Sequence, residues 1–228
     1  MAFDKELLVI MHATHSERMM PQYLAQLDGA GVEYHIEKFI EYPNWKGGGT
    51  LGFTVETKRR LAKQFSDYQF LIFTCAFDML FFSSKAAILK RIPTDYIVMG
   101  AEKNCYPVAS IASQIPERGP WRFSNGGPYA GTPDNFLKWC DAMESHRAYN
   151  PNMLDQELYN IMLAEDNEWC QIDFRTNLFF CLFSGYEELE FRYGHPYNSF
   201  WGTYPAFIHA NGQSPTEELF EKYERSLK

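Results

Sequence analysis

Phe70-Leu71-Ile72-Phe73-Thr74-Cys75-Ala76-Phe77-Asp78 is an apolar run that ends abruptly on one carboxylate. Its length and its β-forming residues predict a buried strand of an α/β sheet. Asp78 then falls at or just past the carboxyl end of that strand, where open α/β sheets place their ligands. Met79-Leu80-Phe81-Phe82 follows at once, so the acid lies between two apolar segments. A charge in that position needs a partner, because an unpaired buried carboxylate is costly. A helix cap or a structural ion pair would supply one. So would a metal ion, with Asp78 as a ligand.

The chain around this run has the grammar of an α/β fold. Leu7-Leu8-Val9-Ile10-Met11 predicts a first, central strand, followed by a polar turn at His12 to Glu17. Ser16 is placed to cap a helix that runs to about Leu27 and stops at Gly29 and Gly31. Val32 to Phe39 alternates as a second strand. The opening is thus β-loop-α-β, the start of a nucleotide-binding half. It carries no G-x-G-x-x-G and no phosphate-loop lysine motif, which argues against the common dinucleotide and P-loop sites.

Trp45-Lys46-Gly47-Gly48-Gly49 combines a flat stacking face with backbone that a ligand can approach closely. Phe53 to Phe65 predicts a helix with a basic face of Lys58, Arg59, Arg60 and Lys63. Such a face is ordinarily solvated, but one lysine near the sheet edge can meet a phosphate. A short helix after Ser83-Ser84 and a strand at Tyr96 to Met99 come next. A long irregular segment then closes on Ser124-Asn125-Gly126-Gly127, which reads as a tight turn. Thr132-Pro133 opens a helix to about Ser145. Another helix spans Asn152 to Leu163, with Asp155-Gln156 near its start. Pro205 to Gly212 repeats the pattern of the first run: a short apolar strand ends on His209 and is followed by a glycine turn. A lone histidine is more often a hydrogen-bonded core residue than a ligand.

The 228 residues show no internal repeat, low-complexity tract or linker, so residues 1–228 are expected to form a single domain. A formal net charge of -8 argues against a nucleic-acid footprint, which needs a basic face. It leaves room for an anionic substrate, since a divalent metal supplies positive charge locally. The five cysteines form no C-x-x-C pair, which fits reduced thiols in a reducing compartment. The start, Met-Ala-Phe-Asp-Lys-Glu, lacks the basic and apolar regions of a signal peptide, and no apolar run is long enough to span a membrane. The expectation is a cytoplasmic or otherwise soluble intracellular protein.

Seven pieces, in order, resemble the glycosyltransferase domain of procollagen lysyl hydroxylases and their collagen glycosyltransferase relatives. They are Val9-Ile10-Met11-His12-Ala13-Thr14, Trp45-Lys46-Gly47-Gly48, Ile72 to Asp78, Ala101-Glu102 with Cys105-Tyr106-Pro107, Ser124 to Gly127, Asp155 to Tyr159, and Ile208-His209-Ala210-Asn211-Gly212. The resemblance implies a GT-A fold, a Rossmann-like α/β/α sandwich around a central mixed, mostly parallel sheet. It implies transfer of a hexose from a UDP-sugar donor to a hydroxyl-bearing acceptor, a glycan or glycosylated peptide, with retention. The reaction would resemble that of a procollagen galactosyl-hydroxylysine glucosyltransferase. Asp78 and His209 map onto ligands of Mn²⁺ or another divalent metal. Ala13 and Thr14 would hold the uridine, Trp45 would lie against the uracil, and Lys58 would face the phosphates. Phe77 matches an aromatic position near the nucleotide. Asn125, Gly126 and Gly127 would line the sugar, and Asp155 with Gln156 matches the end of an acidic run near the acceptor.

A carboxylate and an imidazole at strand ends suit such an ion, and rigid supports suit its geometry. Two residues depart from the pattern. Where the family carries an acid three residues before the metal-binding aspartate, this chain has Cys75, a soft donor poorly matched to Mn²⁺. The acidic run before Gln156 is reduced to Asp155. Cys75 is also what favours a reading from a different class, a catalytically silent GT-A-like module that binds a nucleotide-sugar or a partner.

Overall fold

The first strand, β1 (Lys5–Ala13), is apolar from Leu7 to Met11, and all five side chains are buried. A strand buried on both faces needs a layer against each. In the computed structural model, which describes residues 5–13, 19–38, 50–165 and 168–227, alternate residues serve opposite layers. Leu8 and Ile10 join one core with Leu71, Phe73, Phe136 and Trp139. Leu7, Val9 and Met11 join a second with Tyr23, Leu27, Phe70 and Ile72. This is the period-two alternation of a pleated strand.

The chain continues through α1 (Met19–Gly29), β2 (Glu33–Lys38), α2 (Leu51–Gln64), β3 (Tyr68–Cys75), β4 (Met79–Phe81), α3 (Lys85–Leu89) and β5 (Ile97–Glu102). A 3-10 turn at Ala109–Gln114 precedes β6 (Phe123–Gly131), α4 (Pro133–Ser145), α5 (Asp155–Ala164), β7 (Cys170–Ile172) and β8 (Phe179–Cys181). A second 3-10 turn at Tyr186–Glu188 leads to β9 (Leu189–Arg192), β10 (His195–Asn198), β11 (Phe207–His209) and α6 (Thr216–Ser226).

Six strands form the central sheet in the order β2-β1-β3-β6-β5-β7. β6 is antiparallel to both of its neighbours, while the other paired strands are parallel. The sheet is therefore mixed and mostly parallel. Helices α2, α4 and α5 supply one core, and α1 and α3 supply the other, which gives the expected α/β/α layering. A second sheet, β4-β11-β8, pairs β11 antiparallel to β4 and parallel to β8. Its alternate residues, such as Leu80 against Met79 and Phe81, feed the two cores in turn.

Local chemistry sets the ends of these elements. Thr132 Oγ1 accepts a hydrogen bond from Asn135 N at 3.2 Å, and Pro133 fills the first helical position of α4. Ser84 Oγ caps α3 in the same way through Ala87 N. α1 stops where Gly31 takes a φ of +63°, open to glycine at little cost.

Four expectations shift. β3 ends at Cys75, and Asp78 stands at the end of a bend, Ala76 to Asp78, that carries the chain from the large sheet to the small one. α5 begins at Asp155 rather than Asn152, because Leu51 N bonds Met153 O and Gly52 N bonds Pro151 O, tying that segment to the start of α2. Ser124 to Gly127 is not a tight turn but part of β6. There Asn125 to Pro128 stand opposite the single Gly100, a wide bulge between the Met99–Tyr129 and Ala101–Ser124 pairs. Gly100 makes room for it, since a Cβ there would meet Pro128 Cγ at 2.7 Å.

The basic residues of α2 do not share one face. Lys58 follows Leu51, Thr54 and Val55 at helical spacing and is 4% exposed, within the buried stripe. Arg59 points out to Asp141 and Glu144, both at 2.7 Å, and Arg60 pairs with Glu37.

Candidate active site

Two strand ends meet at the seam between the sheets. β4 and β11 pair antiparallel with Met79 opposite His209, and Ala210 N bonds Asp78 O at 2.8 Å. Backbone pairing thus holds Asp78 and His209 side by side. His209 Nε2 lies 3.2 Å from Asp78 Oδ2. His209 is 4% exposed, and among the described residues Asp78 Oδ1 is buried without a hydrogen-bond partner.

The other face of the imidazole is fixed by a chain of amides. His209 Nδ1 lies 3.0 Å from Asn125 Oδ1, which also accepts Gly127 N at 3.0 Å. A backbone N–H can only donate, so that oxygen cannot be exchanged for the amide nitrogen. Asn125 Nδ2 therefore turns to Glu102 Oε2, at 2.9 Å. The same logic orients two more amides. Gln156 Oε1 accepts Gly126 N at 3.1 Å and Asn211 Oδ1 accepts Phe183 N at 3.1 Å. Their amide nitrogens then donate to Glu102, Gln156 Nε2 at 2.6 Å and Asn211 Nδ2 at 2.7 Å. Burial pushes the Glu102 carboxyl above its usual range, and the three amide donors pull it back down.

This network sets the histidine tautomer. Asn125 Oδ1 is an acceptor, so His209 Nδ1 carries the hydrogen. Nε2 is then the ring nitrogen that faces the Asp78 carboxylate. Two acceptors at 3.2 Å are satisfied only by a proton or a cation between them. Cys75, the last residue of β3, adds a third donor. Its sulfur and one ligand atom each of Asp78 and His209 all lie within 4.8 Å of one another. Burial holds the Cys75 thiol well above its usual range, and the Asp78 and Asp155 carboxylates raise it further.

Gly127 lets this arrangement close. A Cβ there would lie well inside van der Waals contact of His209 Cε1 and 2.9 Å from Nδ1. Gly126 lies against α5 in the same way, with Asp155 Oδ1 at 3.1 Å from its would-be Cβ. Asp155, buried at the first position of α5, accepts Gln156 N at 2.7 Å and Thr54 Oγ1 at 3.2 Å. Burial raises its pKa and the Lys58 charge opposes the shift. Lys58 holds its ammonium 4.0 Å from the centre of the Tyr129 ring, and burial depresses its pKa to about 8.

The structure thus gathers Asp78, His209, Asn125, Gly126, Gly127 and Asp155 into one connected cluster. Lys58 is linked to it through Asp155. Ala13 is buried at the end of β1, which finishes alongside β3 with His12 opposite Cys75. Phe77 is half-buried on the bend that carries Asp78. Thr14 and Trp45 lie outside the described residues. Glu102, Gln156 and Asn211 form the polar frame. They lie within the motifs of the family resemblance, but nothing in their local sequence announces three amides sharing one carboxylate.

The fold is that of the GT-A glycosyltransferases. Two solved structures have this fold over nearly the whole chain. A glycosyltransferase involved in the glycosylation of the major capsid of PBCV-1 has a TM-score of 0.56 at 12% identity, covering 97% of this chain and 98% of that one. The galactosyltransferase LgtC, in complex with donor and acceptor sugar analogs, has a TM-score of 0.54 at 13% identity, covering 97% and 96%. Among curated proteins none matches the sequence. The chain belongs to the PLOD GT domain family, the glycosyltransferase domain of lysyl hydroxylases, whose model matches residues 3–224. Among the described residues no helix is long and apolar enough to cross a membrane.

Proposed function

We propose that this domain moves a hexose from a UDP-sugar to a hydroxyl of a glycan or glycosylated-peptide acceptor, with retention and with a divalent metal at Asp78 and His209. One observation carries the reading. His209 Nε2, its tautomer fixed from behind, faces the Asp78 carboxylate at 3.2 Å, and the other Asp78 oxygen is unpartnered. A divalent cation satisfies both atoms, so the residues present fit such an ion. When bound, it supplies positive charge against the departing pyrophosphate.

The chain's own residues do the rest. Ala13 and Phe77 stand on the nucleotide side, whose other expected members, Thr14 and Trp45, lie outside the described residues. Gly126 and Gly127 expose backbone to the sugar, and Asn125 holds both the histidine and the sugar side of the site. Asp155 stands on the acceptor side with Lys58 as its counter-charge. The second reading, a silent binding module, draws on Cys75 standing where the family carries an acid.

Calorimetry with UDP, in the presence of Mn²⁺, of Co²⁺ and of no metal, tests the proposal on the wild type and Asp78→Ala. The expected result is metal-dependent UDP binding that Asp78→Ala abolishes. Binding indifferent to metal, or no binding, overturns it. UDP-sugar hydrolysis separates the two readings, since a silent module binds without turnover.

A further inference from the structure

We propose that Cys75 is a third protein ligand at this site, and that the domain prefers a borderline-soft divalent cation of the Co²⁺ or Zn²⁺ class to Mn²⁺. The inference rests on the metal site at Asp78 and His209 proposed above, and adds its third donor and its selectivity.

The geometry gathers three kinds of donor. Cys75 ends β3, the three-residue bend after it brings Asp78 back beside it, and β11 delivers His209. Their ligand atoms lie within 4.8 Å of one another. Donors bound at about 2.0–2.3 Å around one ion stand roughly 3–4 Å apart, so the trio needs a contraction of about 1 Å. That is within reach of side-chain rotation, because the Asp78 oxygen left over has no partner to lose. Cys181 is the other nearby thiol, but its sulfur lies 3.9 Å from His209 Nδ1, on the side of the ring that Asn125 already occupies.

The chemistry of the donor set then decides the metal. Mn²⁺ favours carboxylate, carbonyl and water oxygens, whereas thiolate and imidazole favour Zn²⁺ and its neighbours. On binding, the Cys75 thiol releases its proton to solvent and its sulfur donates an electron pair to the ion. One thiolate and one carboxylate then neutralise the two charges of the ion. An aspartate in place of Cys75 would supply the same charge through a hard oxygen, so the residue changes selectivity rather than charge balance.

Cobalt(II) titration followed by electronic absorption tests this, because a thiolate on Co²⁺ gives a near-ultraviolet charge-transfer band that oxygen and nitrogen donors do not. The wild type is expected to show the band, Cys181→Ser to keep it, and Cys75→Ser and Cys75→Asp to lose it. Competition against Mn²⁺ gives the selectivity. The ratio of Co²⁺ to Mn²⁺ affinity should fall at least about tenfold in Cys75→Asp. Since all first-row sites favour Co²⁺ to some degree, that change in ratio is the readout. Cobalt binding to the wild type without the band, or an unchanged ratio in Cys75→Asp, overturns the ligand role and leaves the proposed function standing. Failure of the wild type to bind any divalent ion overturns both. Should Cys75→Ser not fold, the wild-type and Cys181→Ser spectra still decide the matter.

Discussion

Asn125 Oδ1 stands 3.0 Å from His209 Nδ1 and is locked there by the Gly127 N–H. The orientation of one amide therefore decides which histidine nitrogen is free to face Asp78. Glu102 holds the other end of that amide, together with those of Gln156 and Asn211.

Glu102→Gln puts a fourth amide where three amide nitrogens already donate, and at least one loses its acceptor. The expected loss of stability is about 1–3 kcal/mol by denaturant unfolding. Divalent-metal affinity should fall by up to the roughly 10–100-fold that follows loss of a ligand's direct outer partner, because Glu102 acts on His209 through Asn125. An unaltered metal affinity would show that the network does not set the tautomer.

Gly127→Ala drives a methyl group into the His209 ring. Overpacking of this kind costs about 1–3 kcal/mol. The more diagnostic effect is on the proposed metal site, with the imidazole displaced from Asp78 and metal-dependent UDP binding lost in calorimetry. Gly29→Ala, where a Cβ meets nothing within 4 Å, is the matched control.

His12 sets an acid limit. Burial, and then the charges of Lys58, Arg60 and His35, lower its pKa from 6.5 to about 3. Between those values the unfolded chain binds the proton that the folded chain refuses, so stability falls as pH falls from 6.5 towards 3. The slope is at most about 1.4 kcal/mol per pH unit. Thermal denaturation across that window should show a shallower decline for His12→Gln than for the wild type.

Asp173 accepts three backbone N–H groups, from Asn177 at 3.0 Å, Leu178 at 2.6 Å and Phe179 at 2.9 Å. Asn in its place offers one oxygen and turns an amide N–H₂ onto a backbone donor. Asp173→Asn should cost about 1–3 kcal/mol in chemical denaturation. It leaves Asp78 and His209 untouched, so metal binding by the folded fraction should persist.

Much of this was legible in the chain. His209 closes a short apolar strand and Asp78 stands between two of them, and a charge or imidazole in such a place stands out against its neighbours. What could not be read was register. Lys58 looks like part of a basic surface because three cations adjoin, yet counting from Leu51 and Val55 places it in the buried stripe. Ser-Asn-Gly-Gly has turn chemistry, but the same residues suit a strand bulge, and only pairing with β5 decides between them. The frame around Glu102 joins residues from β5, β6, α5 and the segment after β11, and no local pattern encodes a meeting of four separate elements.

The bend from Ala76 to Asp78 has a mechanical consequence. Cys75 belongs to the six-stranded sheet, His209 to the three-stranded sheet, and Asp78 to the three residues that join them. An ion held by all three would act as a rivet across two sheets, closing a loop that contains more than half the chain. Occupancy would then be read not only as catalytic competence but as resistance to the two sheets separating, so donor binding and mechanical stiffness would rise and fall together.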